Sequence, residues 1–137
     1  MIHSLAQAIA ALRAAAQAGR AVVLASAPDA GGYVGPGWFA SLIAEAREAV
    51  PEASFSALLD CGDNVGATLA AIRAEVEGVI FTGRPDVARR LADIARQHAV
   101  RLLTDRPSPA IDLAADFFAN ADLLEQHCTQ ALRQYPG

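Results

Sequence analysis

The chain reads as an α/β protein, a four-stranded parallel sheet with helical crossovers, and three observations predict it. Four short, largely apolar runs, interrupted only by Ser56 and Arg101, recur along the chain as buried parallel strands do. Segments with helical apolar spacing separate them, as parallel neighbours require. The runs also end on polar residues or glycine, the usual composition of the carboxyl edge of such a sheet.

Each element has its own signal. Residues 3–18 carry Leu5, Ile9, Leu12 and Ala16 on one helical face, and Gly19 is placed to end that helix. Ala21-Val22-Val23-Leu24-Ala25 is the first strand. Ser26 to Gly37 is rich in glycine and proline and predicts a loop, with a helix from about Gly37 to Val50. Phe55 to Leu59 is the second strand, and Asn64 is suited to cap the helix running to Val76. Val79 to Thr82 is the third strand, Pro85 starts a helix to about His98, and Val100 to Leu103 is the fourth strand. Asp112 opens a last helix to about Gln134, striped with Leu113, Phe117, Ala121, Leu124 and Cys128. Strands in sequence order would put the connecting helices on one face. The last helix would then cover the other face or mediate assembly, so a homo-oligomer is expected. Residues 1–111 and 112–137 are read as parts of one domain.

Composition excludes several functions. With 137 residues, 53% hydrophobic and 19% charged, the chain has enough apolar content to bury a core. A net charge of −4 and scattered arginines argue against nucleic acid as a partner. No apolar segment approaches the roughly 20 residues that span a membrane, and no secretion signal is evident, so a cytoplasmic location is expected. There is no lysine, which excludes Schiff-base aldol chemistry, pyridoxal phosphate and a Walker-type nucleotide site. Cys61 and Cys128 are expected as reduced thiols, Cys128 on a core-facing stripe.

Two stretches carry a family resemblance. One is Ala25-Ser26-Ala27-Pro28-Asp29-Ala30-Gly31-Gly32-Tyr33-Val34-Gly35-Pro36, with its Tyr-x-Gly-Pro element. The other is Leu58-Leu59-Asp60-Cys61-Gly62, followed by Ala70 to Ala74 and Val79 to Gly83. In this order they resemble the class II, zinc-dependent fructose-bisphosphate aldolases, over roughly residues 4–104. The resemblance implies a partial TIM-barrel-like sheet, with an open α/β sandwich as the alternative. It places Asp60 on the family's acid/base residue, Cys61 on one of its zinc-ligating histidines and Ser26 on a loop serine near substrate. The family's other two zinc histidines fall on strands beyond the end of this chain, and His3, His98 and His127 match none of them. No metal and no cofactor are therefore expected.

Parallel strands deliver their following residues to one edge. Asp60 and Cys61 are the catalytic candidates there, and Ser26, Asp63, Thr82, Arg84 and Arg106 the candidates for substrate or anion binding. The structural alternative is that these residues cap helices and pair with one another. Tyr33 and Trp38 are candidate ligand contacts or packing residues. The expected function is an aldolase-derived domain without zinc-dependent aldol activity that binds a small phosphorylated or carboxylated metabolite. The alternatives are a lyase whose barrel a second subunit completes, and a protein-interaction module.

Overall fold

The computed structural model describes residues 1–106 together with Gln126, residues 128–130 and Leu132, and excludes the Tyr33 side chain. The order of elements is α1 (Leu5–Ala18), β1 (Val22–Ala25), α2 (Ala30–Tyr33), α3 (Pro36–Ala49), β2 (Phe55–Asp60), α4 (Val65–Arg73), β3 (Gly78–Ile80), α5 (Pro85–Gln97) and β4 (Arg101–Leu103). The strands form one parallel sheet in the order β1-β2-β3-β4, with helices between them, so the predicted fold class is correct. The helix predicted from Asp112 lies outside the described residues, apart from the few named above.

Local chemistry sets the element boundaries. The Ser4 hydroxyl accepts the Gln7 N–H at 3.2 Å to start α1, and left-handed Gly19 (φ 66°) ends it. The Asn64 side chain accepts the Ala67 N–H at 2.9 Å to start α4, and Pro85 occupies the first turn of α5. α4 stops at Arg73, short of the predicted Val76, because Glu75 adopts a left-handed φ of 56°. Within the predicted loop, residues 30–33 instead form the short α2.

The chain separates into two compact units. One comprises residues 1–24, 42–56 and 108–137, in which Ile2, Leu12, Leu24, Ile43 and Val50 are buried and Val23 is exposed. The other comprises residues 25–41 and 57–107. It contains a cluster of Phe81, Ala88 and Leu91, with Leu69, Val87 and Leu102 packed against it. β2 is buried along residues 57–60, whereas β4 begins on exposed Arg101. No described helix is long and apolar enough to cross a membrane.

Candidate functional site

Register brings the site together within the second unit. Asp60 is the last residue of β2 and lies beside Ile80, which in turn lies beside Leu103. The chain leaving Leu103 reaches Arg106 three residues later, on the same edge as Asp60. Ser26 leaves β1 with its N–H donating to the Leu58 carbonyl at 3.0 Å. Three strand ends thus converge on one carboxylate.

Asp60 is 2% exposed and accepts four hydrogen bonds. The N–H groups of Asp29 (3.1 Å) and Gly62 (2.9 Å) reach Oδ1. Arg106 donates through Nε to Oδ2 at 2.7 Å and through a terminal nitrogen to Oδ1 at 3.2 Å, a two-pronged pair. The Ser26 hydroxyl accepts the Asp60 N–H at 2.9 Å and donates to the Ala27 carbonyl at 3.1 Å. Three of the four donors converge on Oδ1, and Oδ2 takes the fourth.

Arg106 also approaches Asp29 at 3.4 Å. Its guanidinium is held above its ordinary pKa, first by the hydrogen bond to Asp60 and then by the charges of Asp60, Asp29 and Asp63. One cation amid three acids leaves this corner net negative.

Cys61 is buried directly beneath α2. A Cβ placed on Gly31 would lie 2.6 Å from Sγ, so only glycine lets the helix backbone approach this closely. That contact explains why glycine occupies position 31 of the helix. Burial pushes the thiol up to about 11, a hydrogen bond with Thr68 offsets part of this, and the Asp60 charge adds to it. The thiol is therefore neutral at pH 7, whereas nucleophiles and metal ligands act as thiolates.

A pH effect follows with a definite sign. The folded-state value lies above the ordinary 9.0, so the unfolded chain loses its proton first as pH rises. The stability is fully present below pH 9 and falls between about 9 and 11. Unfolding in urea at pH 7 and pH 10.5 should show a loss of up to roughly 2 kcal/mol attributable to this group. The loss should vanish in Cys61→Ala, and an equal loss in that variant would show that other groups cause it.

The remaining predicted residues lie on the same edge without joining this cluster through any described side-chain contact. Asp63, Thr82 and Arg84 are exposed. The Thr82 backbone N–H donates to the Gly62 carbonyl at 2.8 Å. The Arg84 side chain is 80% exposed and pairs with Asp86 at 3.1 Å. Trp38 is exposed and stacks loosely on Phe39, their ring centres 6.5 Å apart.

No protein-family model, curated protein or solved structure matches this chain.

The function must then be read from the site itself. Among the described residues, no three His, Cys, Asp or Glu side chains gather in a way that could hold a metal ion. A catalytic zinc needs three protein ligands, and the described residues do not bring three together. Two contributors were not named as site residues by sequence reasoning, although Gly62 closes the Asp-Cys-Gly motif. Gly62, left-handed at φ 57°, turns its N–H onto Asp60, and Thr68 lies buried against Cys61. Thr68 carried a readable signal, a polar residue one turn after the Asn64 cap, and its hydroxyl donates to the Asn64 carbonyl at 2.8 Å.

Proposed function

We propose that this chain is a non-catalytic, aldolase-derived α/β domain that binds a small phosphorylated or carboxylated anion at its strand ends. The burial and pairing of Asp60 carry the reading. An acid/base residue needs a lone pair or proton within reach of substrate, whereas the Asp60 carboxylate is buried and tied to the Arg106 guanidinium and two backbone N–H groups, as a structural pin is. Descent from an aldolase rests on the order of the matched motifs. Neutral, buried Cys61 supports the absence of zinc-dependent aldol chemistry.

The anion is better served by the β3–α5 turn than by Arg106, because Arg84 faces one acid, Asp86, where Arg106 faces three. α5 opens without a side-chain cap, and Arg84 and Thr82 stand exposed beside it. Uncapped N–H groups and a guanidinium are the usual partners of phosphate. Self-association belongs to the same reading, because Val23 on β1 is 54% exposed and a second copy would cover it.

Calorimetric titration with inorganic phosphate tests the site. Arg84→Gln should weaken binding about tenfold, the worth of one charge-assisted hydrogen bond, while Arg106→Gln should not weaken it. No heat of binding, or an unchanged affinity in Arg84→Gln, would remove the anion site. Stoichiometric zinc in the purified protein, or cleavage of a ketose bisphosphate, would overturn the non-catalytic reading.

A further inference from the structure

The segment over Cys61 is held differently from the rest of its unit. α2 has four residues, two of them glycine, and its cap residue Asp29 makes no side-chain capping bond. Helices this short do not stabilise themselves, and glycine adds to the entropy of ordering them. Among the described side chains of residues 29–35, only Ala30 and Gly31 are buried, while Gly32 and Val34 are exposed. Among these, little apolar area opposes opening.

The hydrogen bonds point the same way. The Ala30, Gly32 and Val34 N–H groups donate to Ala27, Asp29 and Ala30, so these bonds move with the segment or lie at its root. Two described links tie it to the strand ends. The Asp29 N–H reaches Asp60 Oδ1 at 3.1 Å, and the Asp29 carboxylate reaches Arg106 at 3.4 Å. The second is an ion pair with both side chains well exposed, 41% for Arg106 and 63% for Asp29, which makes it weak and open to screening by salt. The segment begins and ends on left-handed residues, Asp29 (φ 63°) and Gly35 (φ 83°).

We infer that residues 29–35 form a flap over Cys61, hinged at Asp29 and Gly35 and latched to Arg106 through Asp29, which opens while the rest of the domain stays folded. When closed, it presses Gly31 onto the thiol and onto the Asp60 carbonyl, 3.3 Å from the position of a Gly31 Cβ. When open, it bares the end of β2, so the flap controls access to that part of the edge. This does not depend on whether an anion binds at the β3–α5 turn.

Thiol labelling of the native chain tests the inference. N-ethylmaleimide is added at pH 8, and modification of Cys61 and Cys128 is followed separately by mass spectrometry. Cys128 is buried in the other unit and serves as the reference for larger unfolding. Cys61 should react at a rate that hardly changes with low urea, the mark of an opening that exposes little surface. Asp29→Asn keeps a residue tolerant of the left-handed backbone and removes the latch charge. It should speed Cys61 labelling about two- to fivefold, the range for an exposed ion pair, and leave Cys128 unchanged.

Gly31→Ala, which wedges a methyl against Sγ, should speed Cys61 labelling without altering any charge. A Cys61 rate that climbs steeply with urea, in step with loss of the circular dichroism signal, would overturn the flap. So would a rate unaffected by both substitutions.

Discussion

Asp60→Ala is expected to destabilise the protein by about 3 kcal/mol, as judged from urea unfolding at pH 7. The substitution removes the shared acceptor of the Asp29 and Gly62 N–H groups and strips Arg106 of its two-pronged partner. Loss of one member of a fully buried pair costs about 3–5 kcal/mol. The lower end applies because Arg106, partly exposed, can rehydrate. Against a typical total stability of about 5–15 kcal/mol, this is a large share. Asp60→Asn keeps one carbonyl acceptor and should lose roughly half as much. An alanine variant as stable as the parent would remove Asp60 from its structural role and return it to the list of catalytic candidates.

Phe81→Ala should cost about 3–5 kcal/mol, the range for emptying a well-packed aromatic site. Phe81 is buried, its N–H donates to the Leu103 carbonyl at 2.9 Å, and its ring packs with Ala88, Leu91, Val87 and Leu102. The ring also lies close against Gly83, which leads into Arg84. The substitution should therefore loosen the β3–α5 turn and weaken phosphate binding along with stability. Phe81→Leu, closer in volume, should lose less than half as much. A change below about 1 kcal/mol for the alanine variant would mean that the cluster repacks around the gap.

The sheet was legible because its signals are local. Apolar runs such as Val22 to Ala25, the Ser4 and Asn64 caps and the proline at the head of α5 depend on neighbours within a few residues. The site was legible only as a location. Asp60 ends an apolar strand, so it had to find partners, but Arg106 lies 46 residues away in sequence and meets it only through the register of three strands. Two of the other donors are backbone N–H groups, which no composition reveals. α2 was unreadable for a related reason, because Gly-Gly favours turns locally and becomes helical here through Gly31 packing on Cys61. The burial that keeps Cys61 neutral is likewise a tertiary property, and the sequence reading left it as a possible ligand or nucleophile.

Among the described residues the sheet ends on β4, and the brevity of that strand has a consequence for growth between molecules. An outer strand offers its unpaired backbone groups as a template for another chain. β4 offers only three residues and opens on exposed Arg101. A copy adding its own β4 alongside would gain few ladder bonds and, in parallel register, bring cation near cation. Fibrous, edge-to-edge stacking through this strand is thereby disfavoured.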